Sequence, residues 1–182
     1  MDGLVTKALA HVIRSRLDDA AYADVLREAG VEEQTFVAGE TYPDEVTFAL
    51  VGAAARALAT SSAAILEMLG EHWVEFAIRE GYGRFLTTAG RNLRDVLLNL
   101  DRMHEKIALN YPHLHQPTFW CTDVTDDRLV LHYMSARSGL APLVIGIVRG
   151  LARMHHTRVG IEHRQRRADG APHDEFLVRL NP

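Results

Sequence analysis

The stretch LHYMSAR, residues 131–137, alternates in character, and this alternation predicts a β-strand with two different faces. Side chains at i, i+2 and i+4 of an extended chain share a face, so Tyr133, Ser135 and Arg137 are expected to project together. Two hydroxyls and a guanidinium are hydrogen-bond donors, and the planar fork of arginine matches a carboxylate. One interpretation is therefore a ligand that carries one or two carboxylates. A solvated strand face would alternate in the same way.

The chain around this stretch predicts an antiparallel sheet. The residues after Pro112 alternate in short runs, and turn residues such as Thr125-Asp126-Asp127 join them. The predicted elements are strands at 117–124 and 128–135, a helix at about 140–154, and strands at 157–166 and 175–180.

The first two-thirds of the chain shows helical spacing of its apolar residues instead. The predicted helices are one over Leu4–Leu17, one capped by Asp18 or Asp19 that ends before Gly30, one from Asp44 to about Ala59, one capped by Ser61 or Ser62 and broken into short pieces at Gly70, Gly81, Gly83 and Gly90, and one from Asn92 to about Asn110. The predicted fold class is α+β. It is one domain over residues 1–182, with an N-terminal helical part and a C-terminal part that holds a four-stranded antiparallel sheet and helices.

Composition excludes several classes of protein. The 182 residues are 47% hydrophobic and 24% charged, as in a globular domain with one sizeable core. The net charge of −4 and the scattered arginines predict no nucleic-acid partner. The sequence shows no secretion signal and no apolar window long enough for a membrane span, so we predict a cytoplasmic protein without a membrane partner. Cys121 is the only cysteine, which excludes a Cys-rich metal site.

Two helices carry residues of interest. His104 lies in the apolar stripe of the last predicted N-terminal helix, where it is either a buried core histidine or an iron ligand in a dry pocket. The helix that follows the alternating stretch has no polar side chain between Ser138 and Arg149. It suits the core of the domain or the wall of an apolar pocket.

The sequence resembles the haem-nitric-oxide/oxygen-binding (H-NOX) family. These are bacterial gas-sensor domains related to the haem domain of soluble guanylate cyclase. The resemblance covers nearly the whole chain. The matching segments are MDGLV, YPDEVTFALVGAA, FAIREGYG, NLDRMH, Tyr133-x-Ser135-x-Arg137, GLAPLVIGIVRGL and HDEFLVR.

The resemblance implies a role for each matching residue. His104 is the proximal ligand of a haem b buried between the two parts of the domain, and Tyr133, Ser135 and Arg137 bind its propionates. Pro117 corresponds to the family's proline that presses on the porphyrin. Three further positions correspond to the gas-binding side, although core packing would explain them equally well: Val5, Trp73 and Leu143.

One departure from the family bears on gas selection. Members that hold oxygen carry a tyrosine in the helix after the Tyr-x-Ser-x-Arg motif, and residues 139–150 contain none. We therefore expect nitric oxide and carbon monoxide to bind and oxygen to be excluded, with Trp73 as the remaining candidate donor. Some relatives also carry a Cys-rich zinc site, which this chain cannot build, and His155, His156, His163 and His173 show no ligand spacing by themselves.

Three functions from different classes fit these observations. The first is a non-catalytic nitric oxide sensor in which gas binding releases His104 and a separate protein receives the signal. By resemblance that protein is a histidine kinase, a cyclic-di-GMP enzyme or a chemotaxis receptor. The second is a haem enzyme, against which the apolar helix argues because it offers no acid or base. The third is a haem-free module that binds another carboxylate through Arg137.

Overall fold

The computed structural model describes residues 1–32 and 36–181. The predicted domain, 1–182, therefore includes four residues, 33–35 and 182, that lie outside the described ones. The described chain is α+β, as predicted. Its helices are α1 Gly3–Arg14, α2 Asp19–Glu28, α3 Asp44–Ala57, α4 Ser62–Ala77, α5 Gly83–Ala89, α6 Leu93–Leu98, α7 Leu100–Asn110 and α8 Ala141–Met154, with a π-helical turn at Ile78–Tyr82 and a 3₁₀ turn at Arg167–Asp169. Its strands are β1 Thr118–Thr122, β2 Arg128–Met134, β3 Arg158–Gln165 and β4 Asp174–Asn181.

The predicted helix starts are confirmed at three places. The side chains of Asp18, Ser61 and Asn92 each accept a hydrogen bond from the backbone N–H three residues later, at 2.8 Å, 3.1 Å and 2.9 Å. Each bond satisfies one of the N–H groups that a helix leaves unpaired at its start.

The predicted break at Gly70 is wrong, because α4 continues through it. Gly70 is instead a packing position: a Cβ there would lie 2.3 Å from the carbonyl oxygen of Leu143 in α8. Gly146 of α8 is equally tight, with a Cβ position 2.1 Å from the carbonyl oxygen of Glu67. The two glycines therefore let α4 and α8 pack backbone to backbone. The break at Gly81 is confirmed, and its φ of 94° suits glycine.

The predicted helix over 92–110 is two helices, α6 and α7, that meet at Asn99. The Asn99 side chain donates to the carbonyl oxygen of Asp95 at 2.8 Å. A local bond of this kind competes with regular helix geometry, which accounts for the break. His104 consequently lies on a short helix of 11 residues.

The sheet has the strand order β1-β2-β4-β3, and every neighbouring pair is antiparallel, as predicted. Tyr133 is paired with Phe119 of β1 and with Asp174 of β4. β2 ends at Met134, however, so the prediction that Ser135 and Arg137 share a strand face with Tyr133 is wrong. Both lie in the loop after β2, where Ser135 Oγ accepts a hydrogen bond from the Arg137 N–H at 3.1 Å, a local turn that competes with strand pairing.

The core lies between the N-terminal helices and the C-terminal part, with α8 packed along α4 and the sheet beyond it. Within residues 1–32 and 36–181, no single helix is long and apolar enough to cross a membrane, and Asp44–Ala57 with Ser62–Ala89 reach that length and composition only as a pair bent by 110°.

Candidate functional site

A cavity opens between the helical part and the sheet. Its volume is about 210 Å³, and apolar side chains form most of its walls. α1, α4, α7, α8, β1 and β2 all contribute to it. Every site residue predicted from the sequence lines this cavity: Val5, Trp73, His104, Pro117, Tyr133, Ser135, Arg137 and Leu143.

His104 of α7 presents its imidazole to this cavity. Burial lowers the pKa of His104 to about 4, against the opposing effects of the Asp101 carboxylate and the Pro117 carbonyl. The ring is therefore neutral at physiological pH, which is the form that binds a metal ion. Its Nδ1 is buried and makes no hydrogen bond of normal length and angle. His72 and His155 also have a buried ring nitrogen without such a bond, but of these three histidines only His104 lines the cavity.

Phe119 of β1 connects His104 to the alternating stretch. The rings of His104 and Phe119 lie 5.5 Å apart, and those of Phe119 and Tyr133 lie 5.2 Å apart. The Phe119 N–H donates to Asp101 Oδ1 at 3.0 Å, which fixes α7 against the first strand. His104 and Tyr133 thus face the same cavity from either side of one buried phenylalanine.

The donors after β2 are held by residues distant in sequence. Arg137 donates from Nε to Asp44 Oδ2 at 2.8 Å and from Nη1 to the His115 carbonyl at 3.1 Å. The Ser135 carbonyl accepts a hydrogen bond from the Arg167 guanidinium. Burial raises the pKa of Tyr133, so its hydroxyl stays protonated and able to donate. The loop is thus fixed by bonds to distant residues, and Tyr133 and Ser135 line the cavity with their hydroxyls hydrogen-bonded to each other.

Asp44 is a part of the site that sequence reasoning missed, although it lies in the quoted YPDEV segment. Its Oδ1 accepts from the N-terminal ammonium of Met1 at 2.5 Å while its Oδ2 binds Arg137. Burial by itself would raise the pKa of Asp44, but these two cations outweigh it and hold the pKa below its ordinary value. Only a contact map reveals this bridge, since 93 positions separate Asp44 from Arg137.

The helices α1, α4 and α8 contribute apolar side chains to the cavity. Val5, Trp73 and Leu143 line it, together with Val144 and Ile147 of α8. Tyr82 also reaches the cavity and was not predicted, but its hydroxyl contacts that of Tyr111 at 3.5 Å. Burial raises the pKa of Tyr82, so it stays neutral.

The arrangement fits an iron porphyrin on the observations above. One neutral imidazole with a buried, unbonded nitrogen faces an apolar space, and a guanidinium with two hydroxyls borders the same space. Iron in a dry pocket takes imidazole, and carboxylates take arginine and hydroxyl donors.

Comparison with known proteins agrees with this geometry. A family model described as haem-NO-binding matches residues 2–163. The chain belongs to the H-NOX family. H-NOX domains bind haem and serve as gas sensors.

Two soluble guanylate cyclases are similar to this H-NOX chain in sequence. Soluble guanylate cyclase gcy-33 of Caenorhabditis elegans is 29% identical over 171 residues, 93% of this chain and 18% of the cyclase. Soluble guanylate cyclase gcy-37 of the same organism is 35% identical over 134 residues, 71% of this chain and 19% of the cyclase. The chain therefore spans about a fifth of the length of these cyclases.

Solved structures of H-NOX proteins share the fold. An H-NOX protein from S. oneidensis in the Fe(II)NO state superposes with a TM-score of 0.88 at 16% identity, over 100% of both chains. An oxygen-binding H-NOX domain, solved as its oxygen complex, superposes with a TM-score of 0.81 at 16% identity, over 100% of this chain and 96% of that one.

Proposed function

We propose that this chain holds haem b in the cavity and senses nitric oxide, without catalysing a reaction. The observation that carries the proposal is that His104, whose ring is neutral, faces the cavity that Tyr133, Ser135 and Arg137 also line. When bound, haem would supply a ferrous iron that takes a diatomic gas.

The residues of the site divide the work. The His104 imidazole of α7 would hold the iron, and its low pKa keeps the ring available as a ligand. Tyr133, Ser135 and Arg137 would bind the two propionates by charge-assisted hydrogen bonds. Pro117 lies at the cavity wall just before β1, where it would contact a bound porphyrin.

Selection among gases follows from the apolar wall. Bound oxygen carries partial negative charge and needs a hydrogen-bond donor, whereas nitric oxide and carbon monoxide do not depend on one. Leu143, Val144 and Ile147 offer no donor, and Tyr82 is directed to Tyr111. We therefore infer that oxygen is excluded. The indole N–H of Trp73 is a hydrogen-bond donor. The spectrum of the reduced protein in air therefore tests whether Trp73 stabilises bound oxygen.

Signalling is proposed to act through α7. Leu100 is the one residue of this helix that is buried in the hydrophobic core, and Met103, His104 and Ile107 turn toward the cavity. A bond between His104 and iron would therefore add a tether to a helix that has few buried contacts of its own. Release of His104 on nitric oxide binding would leave the Asp101 bond to Phe119 as a hinge, so α7 could shift while Arg137 keeps its bonds to Asp44 and to the His115 carbonyl.

A separate signalling protein would read that shift. The proposed candidates are a histidine kinase, a cyclic-di-GMP enzyme or a chemotaxis receptor. The cyclase relatives instead place a matching segment inside a chain about five times as long. A haem-free module that binds another carboxylate remains the competing function.

The visible absorption spectrum of the purified, reduced protein tests this proposal. We expect a haem spectrum that is unchanged in air and shifts on addition of nitric oxide or carbon monoxide. Protein that purifies without haem and takes none up on reconstitution would support the haem-free module, and turnover of peroxide would support an enzyme.

A further inference from the structure

A second group of ligand-type side chains lies on the face of the sheet away from the cavity. It consists of His132 in β2, Glu175 in β4 and His173, one residue before β4. His132 and Glu175 are direct partners across the two strands. Tyr133 lines the cavity, so the preceding side chain, His132, points to the other face.

The three ligand atoms form a nearly equilateral triangle. His132 Nδ1 lies 2.9 Å from His173 Nε2 and 3.5 Å from Glu175 Oε1, and His173 Nε2 lies 3.2 Å from Glu175 Oε1. Ligands at the corners of a zinc tetrahedron, each about 2.0–2.2 Å from the ion, lie about 3.3–3.5 Å apart. The triangle is therefore close to one face of such a tetrahedron before any ion is bound.

The orientation of His132 is fixed by its neighbours. Its Nε2 lies 2.7 Å from Thr122 Oγ1, and its ring stacks on Trp120 at 4.9 Å with an interplanar angle of 1°. The Thr122 hydroxyl can accept from Nε2–H, which leaves the Nδ1 lone pair for an ion. Metal-bound histidines almost always have such a partner on the second nitrogen. His132 is also 7% exposed, so its ring has little room to turn.

We propose that His132, His173 and Glu175 form a Zn²⁺ site with three protein ligands and a fourth position for water. Two histidines and one glutamate are a ligand set that zinc accepts, and no cysteine is needed. In the ion-free state the two imidazoles share one proton in their hydrogen bond. Zinc needs both lone pairs, so on binding this proton moves to the other nitrogen of the His173 ring.

Isothermal titration of the chelator-treated, tag-free protein with zinc chloride tests the site, with the zinc content measured after gel filtration. We expect one zinc per chain. His173→Asn and Glu175→Gln should each lower the affinity roughly 100-fold or more, and Thr122→Val about 10–100-fold, because it removes only the partner of a ligand. His156→Asn is the matched control, since His156 is exposed and outside the group, and its affinity should equal that of the wild type.

Circular dichroism of each variant establishes that it is folded. Glu175→Gln keeps the size of the side chain, so it decides the matter if His173→Asn unfolds. A wild type without stoichiometric zinc overturns the proposal. So does a zinc affinity equal to that of the wild type in folded Glu175→Gln. An equal loss of zinc affinity in His156→Asn would also overturn it.

Discussion

Arg137 and Asp44 form an ion pair across the two halves of the domain, with Nε 2.8 Å from Oδ2. Asp44 begins α3 in the helical part, and Arg137 follows β2 in the sheet part. The same carboxylate binds the N-terminal ammonium. The proposed propionate contact is thus anchored to the N-terminal helices as well as to the sheet.

Arg137→Ala should weaken haem binding about tenfold or more, since a charge-assisted hydrogen bond is worth roughly 1.5–3 kcal/mol. Arg137→Lys should restore only part of the affinity because an ammonium lacks the fork. The rate of haem transfer to an excess of apo-myoglobin measures both. Asp44→Asn is the control: it removes the anchor and keeps the guanidinium, so its haem loss should be slower than that of Arg137→Ala. Equal rates in the wild type and both Arg137 variants would show that Arg137 does not contact the propionates.

Asp44 should also make stability depend on pH in the acid range. Its pKa is below the ordinary value of 3.8 in the folded chain, so its stabilising contribution is present above that value and is lost as the pH falls through the folded pKa. Urea unfolding of the wild type and Asp44→Asn should show a stability difference that is constant near neutral pH and shrinks in acid. A difference that grows as the pH falls would contradict the pairing.

Sequence patterns were sufficient for the sheet and for the helix caps at Asp18, Ser61 and Asn92, and they singled out His104 and the Tyr133-x-Ser135-x-Arg137 stretch. The remaining residues around the cavity came from the resemblance to the H-NOX family. They failed where tertiary contacts decide. Gly70 was expected to end a helix, yet the absence of a Cβ at this position lets α8 pack closely against α4. Alternation placed Ser135 and Arg137 on a strand, but β2 ends at Met134, just beyond its last pairing with β4 at Tyr133.

The missed residues have the same origin. Asp44 pairs with a residue 93 positions away, and His132 meets His173 across 41 positions. The periodicity of helices and strands relates only residues that are a few positions apart, so it cannot predict contacts over such separations. Helical spacing likewise continued through Asn99, where one side-chain bond to Asp95 divides the helix.

Gas selection gives a third prediction. The ferrous protein should stay unliganded in air and bind nitric oxide and carbon monoxide, because the wall formed by Leu143 and Val144 offers no donor. Leu143→Tyr should introduce oxygen binding, visible as an oxy spectrum, and Leu143→Phe is its control of similar size without a hydroxyl. An oxy spectrum in the wild type would contradict the prediction, and its loss in Trp73→Phe would assign the donor to Trp73.

The signalling proposal predicts a permanently released protein. His104→Gly reconstituted with haem and free imidazole has no link between the iron and α7. It should act on its partner as the nitric oxide complex of the wild type does, with or without gas. A full switch from 1:99 to 99:1 needs about 5.5 kcal/mol, so one metal–imidazole bond has to supply much of that. A variant that behaves like the unliganded wild type and still responds to nitric oxide would move the switch elsewhere.

The most direct measurement is the haem content of His104→Gly, read from its visible spectrum with and without imidazole. His104 is the one neutral imidazole that the described chain places on the cavity wall with a buried, unbonded nitrogen. We predict a folded protein that loses haem and recovers it, with a histidine-like spectrum, when imidazole is added. Haem retained with an unchanged axial-ligand spectrum in the absence of imidazole would contradict the account, because His104 would then be a core histidine.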